Sequence, residues 1–115
     1  KTESRNNSVN KKQLRRVRAE LLNKKSKAIS TLQKSIDEAE NEIIKLEEKI
    51  EHANQEIMEA SLNGDGEAIK TLSKKLHDSK ARIESLFAKL DLLHKEVEDK
   101  TKEFDEELEG LLVAQ

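Results

Sequence analysis

Apolar residues recur along the first half of the chain with a strict alternation of three and four. Ile29, Ile36, Ile43, Ile50 and Ile57 repeat every seven residues, and Leu32, Ala39, Leu46, Ala53 and Ala60 fall between them. An α-helix turns once per 3.6 residues, so a sustained 3.5-residue repeat keeps one narrow apolar stripe facing one partner helix. Most intervening positions are charged or amide-bearing. The pattern predicts a long helix over residues 29–60 that needs a partner.

The stripe stops after Ala60. Continuing it would place Gly64, Glu67, Thr71 and Lys74 on the seam. Here Ser61-Leu62-Asn63-Gly64-Asp65-Gly66 holds two of the three glycines of the chain. Glycine costs about 1 kcal/mol relative to alanine inside a helix and readily takes positive φ. A turn over residues 61–67 follows. A second stripe begins beyond it, through Ile69, Leu72, Leu76, Ser79, Ile83, Leu86, Leu90, Leu93 and Val97, and continues more weakly at Phe104 and Leu111.

Folding the chain at the turn brings the stripes together in an antiparallel sense. Residues whose numbers sum to 129 then face each other: Ala60 with Ile69, Ala53 with Leu76, Ile43 with Leu86, Ala39 with Leu90, Leu32 with Val97. Each small residue meets a large one, which keeps the layers even, as close packing requires. Glu42 is expected near Lys89, Glu47 near Lys80 and Glu56 near Lys75, with Lys49 beside Arg82 as a repulsive exception. Beyond Leu32 and Val97 the seam meets Lys25 and Lys100, so the hairpin is expected to splay. The first helix would then continue alone as an arm. The expected fold is all-α: a two-helix antiparallel coiled-coil hairpin over residues 29–109 with a basic helical N-terminal extension over 11–28. Residues 1–10 are expected to be a disordered linker, with Asn10 capping the helix and Gln13 as its capping-box partner. Residues 110–115 form a tail, with Gly110 ending the second helix.

Composition narrows the class. Of 115 residues, 40% are charged, and there are two Phe and no Tyr, Trp, Pro or Cys. That content cannot fill a globular core and suits a long paired helix. No run approaches the length of a membrane span, no signal peptide is expected, and no cysteine framework exists. A cytoplasmic location is the expectation. The chain begins at Lys1, which suggests a piece of a longer protein. The net charge of −2 hides a segregation: residues 1–27 carry ten Lys/Arg against two Glu. One end is cationic and the remainder acidic, which points to an anionic partner for that end.

The stretch Glu59-Ala60-Ser61-Leu62-Asn63-Gly64-Asp65-Gly66, with Ile69 and Leu72-Ser73 after it, resembles the hairpin turn of ABC-F ATPases. Ile83-Glu84-Ser85-Leu86-Phe87 fits the same resemblance. The run from Lys11 to Glu20 is similar to the basic segment that follows the second ATP-binding cassette in that family. The likeness covers about residues 11–109 and is to the C-terminal coiled coil of the Uup-like members. It implies an accessory tail of a cytosolic ATPase that lacks a membrane part. Partners would be the parent's own cassettes and nucleic acid, either branched DNA or ribosomal RNA.

The residues that would carry nucleic-acid contact are Lys11, Lys12, Arg15, Arg16, Arg18, Lys24, Lys25 and Lys27. Eight cations on one helical segment suffice to neutralise several phosphates. No aromatic side chain interleaves them, so contact would be to backbone and shape rather than stacked bases. The bland alternative is a solvated helix face, or a join to the rest of the parent in a purely structural, protein-binding coiled coil. His52, with Glu48 and Glu56 four residues to either side, and His77 on the second helix point away from the seam, and His94 flanks it. Metal binding is not expected. Carboxylate pairs such as Glu47-Glu48 read as solvated faces, because a two-helix rod offers no pocket to raise a pKa. Gly64-Asp65-Gly66 lacks the Lys-Ser/Thr of a phosphate loop. Neither a catalytic residue, a cofactor nor a small-molecule substrate is expected in this segment.

Overall fold

The described residues form two helices joined by a short turn. The computed structural model describes residues 2–113, with side chains from Asn10 to Val113. Helix α1 spans Thr2–Leu62 and helix α2 spans Gly66–Val113, and they form an antiparallel coiled-coil hairpin. The chain divides into two compact units, Ser35–Leu93 around the turn and Lys1–Lys34 with His94–Gln115 at the open end.

In the turn-proximal unit the seam is the one the heptads predict. Every stripe residue from Ile36 to Ala60 and from Ile69 to Leu93 is buried or half-buried, and only Ser35, Glu42 and Ala68 join them. Ile36 and Leu86, each 1% exposed, are the largest fully buried side chains among the described residues. Ala39, Ala53 and Ala60 are buried, and Ser79 is the one buried polar residue among those described. No buried side-chain nitrogen or oxygen among the described residues lacks a hydrogen-bond partner.

The turn is tighter than expected. Only residues 63–65 leave the helices, so Ser61 and Leu62 belong to α1, and Gly66 and Glu67 to α2. Gly64 takes φ +67°, the left-handed conformation at which a helix stops. Gly64 N–H donates to Ser61 O at 3.3 Å and Asp65 N–H donates to Ala60 O at 2.9 Å. These two bonds make a Schellman motif and satisfy carbonyls that the helix end would leave orphaned. Asp65 then starts α2: its Oδ1 accepts the Ala68 N–H at 3.1 Å, and its carbonyl accepts the Ile69 N–H at 3.1 Å. One residue thus completes the first helix and caps the second, and this sharing makes the reversal short.

The flank of the seam differs from expectation: Glu47 and Lys80 form no ion pair, and Arg82, expected beside Lys49, meets Glu42 instead. Glu42 takes a two-pronged bond from Arg82, Nη2 to Oε2 at 3.0 Å and Nε to Oε1 at 3.2 Å, rather than pairing with Lys89. Lys89 and Arg82 lie seven residues apart on the same flank of α2, so the seam is unaffected. The guanidinium fork matches a carboxylate bidentately, which a lysine ammonium cannot do.

The open-end unit departs further. The expected splaying is absent. Leu21, Lys25, Ala28 and Ile29 on α1 are half-buried, as are Lys100, Thr101, Phe104, Leu108 and Leu111 on α2. Lys25 Nζ meets Asp105 Oδ1 at 2.7 Å, with the lysine side chain 28% exposed. Long cationic side chains lay their methylenes over apolar neighbours and keep only the tip in water, so a lysine on the seam need not open it. Of residues 11–28, the C-terminal part is thus the wall of a paired segment. Two expected ends also fall inside helices. The stretch expected to be a disordered linker is helical from Thr2, so Asn10 lies within α1 rather than at its cap. That stretch holds neither Pro nor Gly, and helix propagates readily once begun. Gly110 lies within α2, which runs to Val113, and the last two residues of the expected tail lie outside those described.

Candidate nucleic-acid interface

The basic residues sit in two different settings. Lys11, Lys12, Arg15, Arg16 and Arg18 are all exposed on α1. At 3.6 residues per turn they cover an arc of roughly 160°, from the flank of the Leu14–Leu21 stripe round to its far side, over about 10 Å of helix axis. Five cations in two turns is a dense positive surface with no acidic residue among them. Lys27 is exposed on the far side, with Glu20 nearby on the same face of the helix.

Lys24 and Lys25 differ. Lys25 is held by Asp105. Lys24 lines an open cleft of ≈ 380 Å³ together with Val17, Glu20, Leu21, Glu107, Gly110 and Leu111. Two carboxylates share that cleft, so the potential on this side of α1 is mixed. The α2 segment of the unit is acidic, with Glu103, Asp105, Glu106, Glu107 and Glu109 within seven residues. The structure thus separates the eight candidates: five form a coherent patch, one stands apart, and two belong to a region where α2 supplies counter-charge. Sequence reasoning treated all eight alike because the neighbour of Lys25 lies eighty positions away along the chain.

The histidines are not gathered. His52, His77 and His94 are all exposed. His52 lines a small cleft of ≈ 100 Å³ with Lys49, Ala53, Glu56, Leu72 and Lys75. Two ammonium groups beside an imidazole repel a metal cation. Among the described residues no group of three His, Cys, Asp or Glu side chains is arranged to hold a metal ion. Glu56 and Lys75 do come to one cleft, as the register predicts. No helix among the described residues is long and apolar enough to cross a membrane.

No family model matches the chain, and comparison with curated proteins and with solved structures finds no match.

Proposed function

We propose that this chain is a non-catalytic coiled-coil domain that contacts nucleic acid through the basic surface of α1. The observation that carries the reading is the exposed cluster of Lys11, Lys12, Arg15, Arg16 and Arg18. Such a patch neutralises phosphates without reading bases, and no aromatic side chain lies in it for stacking. Lys27 would add to it from the far side. The acidic segment of α2 directs a polyanion away from Lys24 and Lys25 and toward the opposite side of α1. On the sequence resemblance of its turn and its basic run, the domain would be the tail of an ABC-F ATPase, with DNA or ribosomal RNA as the ligand. The paired helices would act as a stiff spacer.

The test is titration of duplex DNA and structured RNA at several salt concentrations. If the five cations each neutralise a phosphate, log affinity falls against log salt with a slope of about −4 to −5 on duplex. Replacing the five with Gln removes most of that slope. Absence of binding at about 50 mM salt overturns the reading.

A second reading has its own observation. Val17 and Leu22, within the basic segment, are 45% and 43% exposed. Exposed apolar side chains among cations also suit docking on a protein surface, such as the cassettes of a parent ATPase. Under that reading the five-Gln variant loses attachment to the parent and leaves nucleic-acid binding unaltered.

A further inference from the structure

The turn that closes the hairpin has a chemical property of its own. We propose that Asn63-Gly64 is a site of spontaneous deamidation, with water as co-reactant and the backbone nitrogen of Gly64 as nucleophile. Asn63 is exposed at the end of α1, and Gly64 follows it. Gly64 carries no side chain, so none stands beside its nitrogen as the five-membered ring closes onto Asn63 Cγ. The attacking nitrogen is also the least held in the turn. Its N–H bond to Ser61 O is 3.3 Å, the longest of the four bonds there.

The step balances without an oxidant or reductant. The Gly64 nitrogen gives up its proton and attacks Cγ of Asn63. A C–N bond forms, the bond from Cγ to the amide nitrogen breaks, and ammonia leaves. Water then opens the cyclic imide at either carbonyl, leaving aspartate or isoaspartate at position 63. The other asparagines with described side chains stand apart. Asn10, Asn23, Asn41 and Asn54 lie inside α1 and precede Lys11, Lys24, Glu42 and Gln55, whose side chains crowd the ring. Their following N–H groups are held by the helical ladder. Asp65-Gly66 has a similar composition, but the Asp65 carboxylate is held by the Ala68 N–H and ionised carboxylate is a poor electrophile.

The product bears on the fold. A new carboxylate arises at the C-terminus of α1, where the helix dipole disfavours negative charge. Isoaspartate also adds a methylene to the main chain between the carbonyls and the N–H groups of the Schellman motif. The modified turn therefore holds the hairpin less well.

The experiment is incubation of the intact chain in mildly alkaline buffer at physiological temperature, followed by peptide mapping by mass spectrometry. The expected result is that, among Asn10, Asn23, Asn41, Asn54 and Asn63, only Asn63 converts to an acid, with a mixture of aspartate and isoaspartate. Asn63→Gln abolishes the conversion, and the aged chain melts at a lower temperature than the fresh one. Two results overturn the proposal. One is conversion at Asn23, Asn41 or Asn54 as fast as at Asn63. The other is an unchanged Asn63 after a period in which the urea-unfolded chain converts there, since that shows the folded turn shields the site.

Discussion

Gly64 and Asp65 decide where the chain reverses, and each does so through backbone chemistry. Gly64 stands at φ +67° with open space around it, so its substitution is opposed by conformation rather than by collision. Gly64→Ala should cost about 1–2 kcal/mol, the penalty for a β-carbon in the left-handed region, read as a lower urea midpoint with an unchanged m-value. Asp65→Ala should cost about 1 kcal/mol through loss of the cap on Ala68 N–H, whereas Asp65→Asn keeps an acceptor and most of the stability. The glycines and the aspartate were visible in the chain, and so was the existence of a turn. Its restriction to residues 63–65 was not, because local composition does not say that one residue will serve two helix ends.

At the scale of the element, α1 and α2 are stabilised by a seam and only tuned by their flanks. Leu86 is 1% exposed and Leu92 is 70% exposed, six residues apart on the same helix. Leu86→Ala should destabilise by about 2–5 kcal/mol, while Leu92→Ala should stay within about 0.5 kcal/mol, measured by thermal or denaturant unfolding. The Glu42–Arg82 pair is exposed on both sides, with side chains 42% and 52% accessible. A double-mutant cycle on it should give a coupling below about 1 kcal/mol that shrinks as salt is added. The seam was legible because a 3.5-residue period is strict and apolar. The ion-pair partners were less so: on one flank an acidic residue has two cations a heptad apart, and side-chain reach and fork geometry choose between them.

For the molecule as a whole, charge placement matters more than net charge. The cationic end of α1 and the acidic end of α2 belong to one unit, joined by Lys25 and Asp105. Cations therefore differ in their readiness to meet an outside anion. Lys25→Gln should lower nucleic-acid affinity less than Arg15→Gln does, because Lys25 must first leave Asp105. Asp105→Asn should narrow that difference. Fluorescence anisotropy at a fixed low salt concentration, repeated at a higher one, checks both.

By itself the sequence determined the helical class, the two stripes and the place of reversal, since each follows from short-range periodicity or from a residue with unusual backbone freedom. The packing of the seam from Ile36 to Ala60 and from Ile69 to Leu93 was already implicit in those stripes. Only the tertiary structure decided how the open end behaves. Lys25 and Lys100 looked like breaks in a stripe, yet a lysine stem is apolar and its tip finds water or a carboxylate once a second helix lies alongside. It likewise decided which cations form one patch and which are answered by α2, because charges far apart in the chain meet only after it folds back.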